Sequence, residues 1–169
     1  MYEAVADGDP ITQGDIIDDC PLLALSDPAG AFKPDVETEI VRARVIILSQ
    51  ACDLAQVGRG TKVLGAAISE ARLLVEEGIL KASTIRDNVR RHQTFGWYFL
   101  PAAAPPLMLP ESIVDLRELH TLNRTVLEQL AGSGKRACRL QTPYREHLAQ
   151  HFAVTYMRIA LPEPYETEP

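Results

Sequence analysis

The sequence predicts an α+β fold: a small β-barrel with a helical insertion at about 70–92 and a C-terminal amphipathic helix. Three observations support this prediction. Short apolar runs recur between turn signals, the middle of the chain switches to helical spacing, and a long helical pattern follows Thr142. A length of 169 residues fits one domain over 1–169, with 70–100 as the insertion and 163–169 as a flexible tail.

The apolar runs predict the strands. The first begins after the turn signal Gly14-Asp15 and is interrupted at Pro21. The run Val45–Leu48 is the strongest, because β-branched side chains suit a strand that is buried on both faces. We expect further strands in KVLGAAIS, TFGWYFLP, SIVDLRELHTL and KRACRL.

Helical spacing appears in three places. Leucine, isoleucine and valine recur at helical intervals over 69–91, where Gly78 should separate two short helices. Asn123 should cap a short helix that stops at Gly132.

The last helix is predicted by its ends and its apolar stripe. Thr142 should cap it, Pro143 should take the first helical position, and Pro162 should end it. The expected buried stripe consists of Leu148, Phe152, Tyr156 and Ile159.

The composition limits the function classes. A net charge of -6 argues against indiscriminate nucleic-acid binding, although a local basic site remains compatible with it. No run approaches the roughly 18 apolar residues that span a bilayer, and the N-terminus lacks the pattern of a signal peptide. The 3 cysteines are widely spaced and form neither a disulfide framework nor a zinc motif. We therefore expect a cytoplasmic protein with reduced thiols, no membrane contact, no metal and no cofactor.

Two arginines lead into the main strand. Arg42 and Arg44 alternate to the same face, where a guanidinium group could bind a phosphate. The alternative is a solvated strand end or a structural ion pair with Glu37 or Glu39. Ser69, after the strand KVLGAAIS, offers a hydroxyl, or else caps the helix that follows it.

The other end of the main strand carries Ser49, Gln50, Cys52 and Asp53. Gln50 is a candidate substrate contact. Cys52 would act as a nucleophile only with a base such as His120, and the alternative is a buried cysteine with Asp53 capping the loop.

Two further patterns involve cations and imidazoles. Arg90 and Arg91 precede a group of aromatic residues, a combination that suits single-stranded nucleic acid, unless the aromatics simply form the core face of a strand.

His147 and His151 lie four apart on the last helix, which is a metal-compatible spacing without an evident third ligand. The alternative is a pair of surface histidines.

The order of these segments resembles the PemK/MazF toxins. The matching pieces are the Gly14-Asp15 strand, the arginine-led strand, the apolar strand that ends in Ser69, the segment Ser112–Asn123 and the final helix. Within the segment Ser112–Asn123, His120 and Thr121 occupy the positions that hold arginine and threonine in the family. The resemblance does not extend over the insertion.

The resemblance implies an SH3-like barrel that forms a homodimer and cuts single-stranded RNA without a metal. Arg42 or Arg44, together with Ser69, would be catalytic. The substrate-binding residues would be Gln50, Arg90, Arg91, His120 and Thr121. RNA can supply its own 2′-hydroxyl as nucleophile, so the protein need only hold the phosphate, stabilise charge and move protons. The alternative is an inactive barrel that binds a protein partner, such as an antitoxin, a regulator or, as in CcdB-like toxins, a topoisomerase.

Overall fold

A computed structural model describes residues 1–26, 38–56 and 60–157 of the chain. Within them the fold is α+β, with seven antiparallel strands in one sheet. The strands are β1 (Tyr2–Glu3), β2 (Asp15–Leu25), β3 (Thr38–Ile47), β4 (Lys62–Glu70), β5 (Trp97–Leu100), β6 (Ser112–Asn123) and β7 (Arg136–Leu140). The helices are α1 (Ala51–Leu54), α2 (Ala71–Glu76), α3 (Ala82–Asp87), α4 (Arg124–Leu130) and α5 (Tyr144–Tyr156).

The sheet order is β1-β7-β2-β3-β4-β6-β5, which places β3 at the centre. As predicted, the run that ends β3 is buried on both faces: Ile46 packs into one cluster of core side chains, while Val45 and Ile47 pack into another. The first cluster includes Leu148 of α5. The second includes Leu127 of α4, so helices cover both faces of the sheet.

The two edges of the sheet approach each other. Tyr2 in β1 donates a hydrogen bond from its hydroxyl to the carbonyl oxygen of Pro101, directly after β5, over 2.7 Å. Because β1 and β5 are the outermost strands, this contact shows that the sheet is strongly curled.

The predicted helical insertion lies between β4 and β5. Its helices α2 and α3 are separated around Gly78, whose φ of 73° is the left-handed conformation that favours glycine. A third cluster of buried side chains attaches it to the sheet, with Leu74 and Ile85 packing on Trp97, Phe99 and Ile113. A short 3-10 turn, Val89–Arg91, ends the insertion.

A buried carboxylate joins β2 to β7 and to the N-terminal loop. Asp15 is fully buried and accepts hydrogen bonds from Arg139 and from the backbone N–H of Thr12. Arg136, also buried, lies 3.5 Å from Asp15 (Nε to Oδ2) and donates to the carbonyl oxygen of Asp9. Two guanidinium groups thus surround one buried carboxylate.

The ends of the helices differ in part from the prediction. Asn123 caps α4 as expected, since its side chain accepts from the N–H groups of Thr125 and Val126. The chain turns at Gly134, with φ 77°, rather than at Gly132. Pro21 does not interrupt β2, which continues to Leu25.

The last helix is less regular than its sequence suggested. Pro143, and not Thr142, occupies the N-cap position, and no side chain caps the helix. Leu148 is buried and Phe152 is partly buried, but Tyr156 is 52% exposed. The predicted amphipathic stripe is therefore narrow. Ile159, Pro162 and the predicted tail lie outside the described residues.

Candidate functional site

An open cavity of about 630 Å³ lies beside the middle of β3 and the end of β4. Helix α2 and the turn before β7 form its other walls. Its polar lining consists of Asp18, Asp19, Arg42, Arg44, Ser69, Glu70, Glu77, Ser112 and Lys135. The three residues predicted to be catalytic therefore line one cavity.

Arg44 is held by a carboxylate on the neighbouring strand. Its Nε donates to Oδ1 of Asp18, and its Nη2 donates to Oδ2 over 3.2 Å. This hydrogen-bonded pairing raises the pKa of Arg44, so the guanidinium stays charged. Both side chains are partly exposed, which leaves the pair accessible from the cavity. Glu39 is not the partner of Arg44, and Glu37 lies outside the described residues.

Arg42 lies nearer the solvent. Its Nη1 donates to the backbone carbonyl oxygen of Asp19 over 3.0 Å. Asp19 sits at an irregularity in the pairing of β2 with β3, and its φ of 57° turns the chain outward. Its carboxylate accepts from the ammonium group of Lys135, which lowers the pKa of Asp19. The irregularity in β2 thus brings two carboxylates beside the two arginines.

Ser69 lies one residue before the end of β4 and does not cap the helix, so the expectation that it caps was wrong. Glu70 occupies the N-cap position of α2 and makes no side-chain capping hydrogen bond. In the described part of the chain, the Ser69 hydroxyl has no hydrogen-bond partner. The register pairs Arg44 with Ile68, so these two side chains share a face of the sheet. Ser69 follows Ile68 and therefore points to the opposite face. Arg44 and Ser69 both line the cavity, which opens at the end of β4, where α2 leaves the sheet.

The charge of the cavity is close to balanced, with one carboxylate in excess. Its cations are Arg42, Arg44 and Lys135, and its carboxylates are Asp18, Asp19, Glu70 and Glu77. An anion that binds here must therefore compete with carboxylates for the guanidinium groups.

The other predicted substrate contacts do not join this cavity. Gln50 lies beyond the far end of β3, at the N-cap position of α1. Arg90 lines a separate cavity of about 660 Å³ in the insertion, where it pairs with Glu111 and lies 5.1 Å from the centre of the Phe99 ring. Arg91 is exposed at the end of the 3-10 turn.

His120 and Thr121 do not line this cavity either. They line a cavity of about 410 Å³ between β6 and the outer part of β2. His120 shares a face with Leu122, which packs with Val45, whereas Arg44 points to the opposite face. The Nε2 atom of His120 is buried and has no hydrogen-bond partner among the described residues.

Cys52 is exposed, so the expectation of a buried thiol was wrong. Its Sγ lies 3.5 Å from Oε1 of Gln50 and 4.0 Å from Oδ1 of Asp53. In the described residues no histidine lies within hydrogen-bond distance of it, which leaves Cys52 without the base that a nucleophile needs. Ser49 is structural, since its hydroxyl accepts from the backbone N–H of Leu64.

Sequence reasoning missed the residues that complete the cavity. Asp18, Lys135 and the two glutamates carried no motif, because acidic and basic side chains at strand ends are ordinary surface features. Two adjacent aspartates directly after Ile17 were the only local signal for the acidic wall.

No protein-family model matches the chain, and no curated protein matches it. Among the described residues, no group of three or more histidine, cysteine, aspartate or glutamate side chains could hold a metal ion. None of the described helices is long and apolar enough to cross a membrane.

Proposed function

We propose that the protein is a metal-independent endoribonuclease that acts on single-stranded RNA. One observation carries this proposal: Arg42, Arg44 and the unbonded hydroxyl of Ser69 line the same open cavity. Planar guanidinium groups suit the oxygens of a phosphodiester, and a hydroxyl can orient one of them.

The proposed reaction uses the nucleophile of the substrate. The 2′-hydroxyl oxygen bonds to the neighbouring phosphorus and the bond from phosphorus to O5′ breaks, leaving a cyclic phosphate and a 5′-hydroxyl. Arg44, with Arg42, stabilises the extra negative charge of the pentacoordinate phosphorus. Asp18 or Glu70, two of the carboxylates in the cavity, accepts the 2′-proton, and solvent water in this open cavity supplies the proton that O5′ takes up as it leaves.

We also propose that the curled sheet is an SH3-like barrel of the PemK/MazF type and that it works as a homodimer. The contact from Tyr2 to Pro101 supports closure of the sheet. The arginine-led central strand and the order of β2, β3, β4 and β6 along the chain support the match in element order. Crystallography of the purified protein would test the barrel, and light scattering would test the dimer.

The test of function is cleavage of a long single-stranded RNA by the purified protein in EDTA. We expect products with cyclic phosphate ends. Arg44→Ala should lower the rate about a hundredfold, as loss of a charge-stabilising donor typically does. Ser69→Ala should lower it less, because a hydroxyl that orients the phosphate carries no charge.

Matched controls are available in the insertion. Arg86→Ala removes an arginine that is 69% exposed and, among the described residues, pairs with Asp87 alone, and Ser83→Ala removes an exposed hydroxyl. Both variants should retain wild-type cleavage. Absence of cleavage by the wild type, or full cleavage by the Arg42→Ala/Arg44→Ala double variant, would reject the nuclease.

A protein-binding module is the second candidate, and the outer part of the β2–β3 hairpin favours it. Leu23 and Ile40 lie opposite each other there and are 72% and 66% exposed. Both share a face of the hairpin with Arg42. Ile40 lies two residues before Arg42 on the same strand, and Leu23 is the direct partner of Ile40 on the neighbouring strand, so all three side chains point the same way. If the wild type does not cleave RNA, Leu23→Ser and Ile40→Ser are the variants that should abolish binding of an antitoxin-type partner.

A further inference from the structure

Three imidazole rings from distant parts of the chain meet beside β5. His92 follows the insertion, and His147 and His151 lie on α5. The centre of the His92 ring lies 4.8 Å from the centre of the His147 ring and 5.9 Å from that of the His151 ring. The centres of the two α5 rings are 6.4 Å apart. Tyr98 of β5 completes the group, with its hydroxyl 3.0 Å from Nδ1 of His147. We call these four residues the histidine cluster.

We propose that the histidine cluster is a proton-sensitive contact, which holds α5 against β5 and the end of the insertion at neutral pH and loosens on acidification. This proposal does not depend on the nuclease. It follows from the position of the cluster, which joins two segments that are more than fifty residues apart in the sequence.

The backbone directs His92 into the cluster. His92 has a φ of 54°, a left-handed conformation that a residue with a side chain rarely adopts. Its ring lies 4.5 Å from the Tyr98 ring, centre to centre. The unfavourable backbone conformation is therefore compensated by packing against rings that the surrounding structure fixes.

The cluster favours neutral imidazoles. Nδ1 of His92 and Nε2 of His151 are buried and have no hydrogen-bond partner among the described residues. His151 as a whole is only 8% exposed. A proton added at Nδ1 of His92 would have no acceptor among the described residues, and a charged ring would be desolvated beside other imidazoles.

Burial and neighbouring groups shift the pKa values of His92, His151 and Tyr98. Burial, followed by the charges of His147 and His151, lowers the pKa of His92 to about 4. Burial also lowers the pKa of His151. Hydrogen bonds with the backbone of Thr94 and Trp97 raise this pKa, and the charge of His147 lowers it, but burial has the largest effect. Tyr98 stays neutral, because burial raises its pKa to about 12.

The direction of the pH effect follows from these shifts. A histidine whose pKa is lower in the folded than in the unfolded state contributes its full stabilisation above the ordinary value of 6.5. The contribution is lost as the pH falls from 6.5 towards about 4, because the unfolded or detached state takes up the proton first. The loosening of α5 should therefore occur in this window.

Hydrogen exchange of the full chain tests the proposal, at pH 7.5, 6.0 and 4.5 in EDTA and after correction for intrinsic exchange. We expect the protection of α5 to fall roughly ten- to a hundredfold between the first and last pH, while β3 stays protected. Each pH unit between the two pKa values contributes up to about tenfold for one proton, and partial solvent exposure reduces this. Unchanged protection of α5 would overturn the proposal.

The variants His92→Gln/His151→Gln and His120→Gln separate the cluster from other acid effects. The double variant should lose the pH dependence of α5, whereas His120→Gln, which changes the one histidine outside the cluster, should keep it. Persistence of the wild-type dependence in the double variant would refute the proposal. Should the double variant fold poorly, NMR titration of His92 in the wild type decides, since a pKa at or above 6.5 is incompatible with the cluster.

Discussion

Asp18 should weaken the binding of RNA by competing for Arg44. Its carboxylate accepts from two nitrogens of the guanidinium group, and both side chains are reachable from the cavity. If Arg44 binds a phosphate, that phosphate lies close to a like charge. The substitution Asp18→Asn keeps the shape of the side chain and removes this charge, so it should tighten binding.

The magnitude follows from the contact. A phosphate on the free side of the guanidinium would lie roughly 5 to 6 Å from the Asp18 carboxylate. At an effective dielectric constant of about 40, between a protein surface and water, two unit charges at this separation repel by about 1.5 kcal/mol. Screening by salt reduces the value to about 1 kcal/mol, which corresponds to about fivefold in the dissociation constant.

Fluorescence polarisation with a labelled 2′-O-methyl RNA, which cannot be cleaved through the 2′-oxygen, measures this effect. Asp18→Asn should bind about fivefold tighter than the wild type. Asp87→Asn is the matched control, because it makes the same change to the net charge of -6 at an exposed position in the insertion. Unchanged or weaker binding by Asp18→Asn, in a folded chain, would refute the competition. The gain should vanish in Asp18→Asn/Arg44→Ala.

Two predictions concern stability, measured by urea unfolding. Asp15→Asn should lower the free energy of unfolding by about 3 to 5 kcal/mol, because it leaves the buried charge of Arg136 without its carboxylate; a loss below about 1 kcal/mol would contradict this. Gly65→Ala should cost about 1 to 3 kcal/mol, since the added methyl group would lie 2.7 Å from Cδ1 of Leu122. Gly132→Ala, where a methyl group would meet nothing within 4 Å, should cost much less.

Local patterns predicted the elements well, because they depend on neighbours in the sequence. The run from Val45 to Ile47 is buried on both faces, as its composition indicated. Asn123 caps its helix because an amide oxygen can reach the first free N–H groups wherever the helix lies. The strand β1, only Tyr2–Glu3, could not be predicted, since it exists only by pairing with β7.

Long-range geometry was largely beyond the sequence. Nothing local indicated that β2 would become irregular after Ile17 and bring Asp18 beside Arg44. The same holds for His92, which meets the helix histidines only because the sheet curls. Alternation along β3 did put Arg42 on the face of Arg44, but the cavity that contains them depends on α2 and the turn before β7.

The balance of charge in the cavity is what separates the two candidate functions. A nuclease needs its arginines available to a phosphate, yet Arg44 is held by Asp18 and Lys135 by Asp19. These pairs are compatible with catalysis if the incoming phosphate displaces the carboxylates, which then serve as proton acceptors close to the 2′-hydroxyl. If only two arginines contact phosphates of a single strand, the logarithm of the binding constant should fall with the logarithm of the salt concentration with a slope of only about 1.4 in magnitude. A shallow slope together with cleavage in EDTA would therefore fit this cavity, whereas a steep slope would require a basic surface elsewhere.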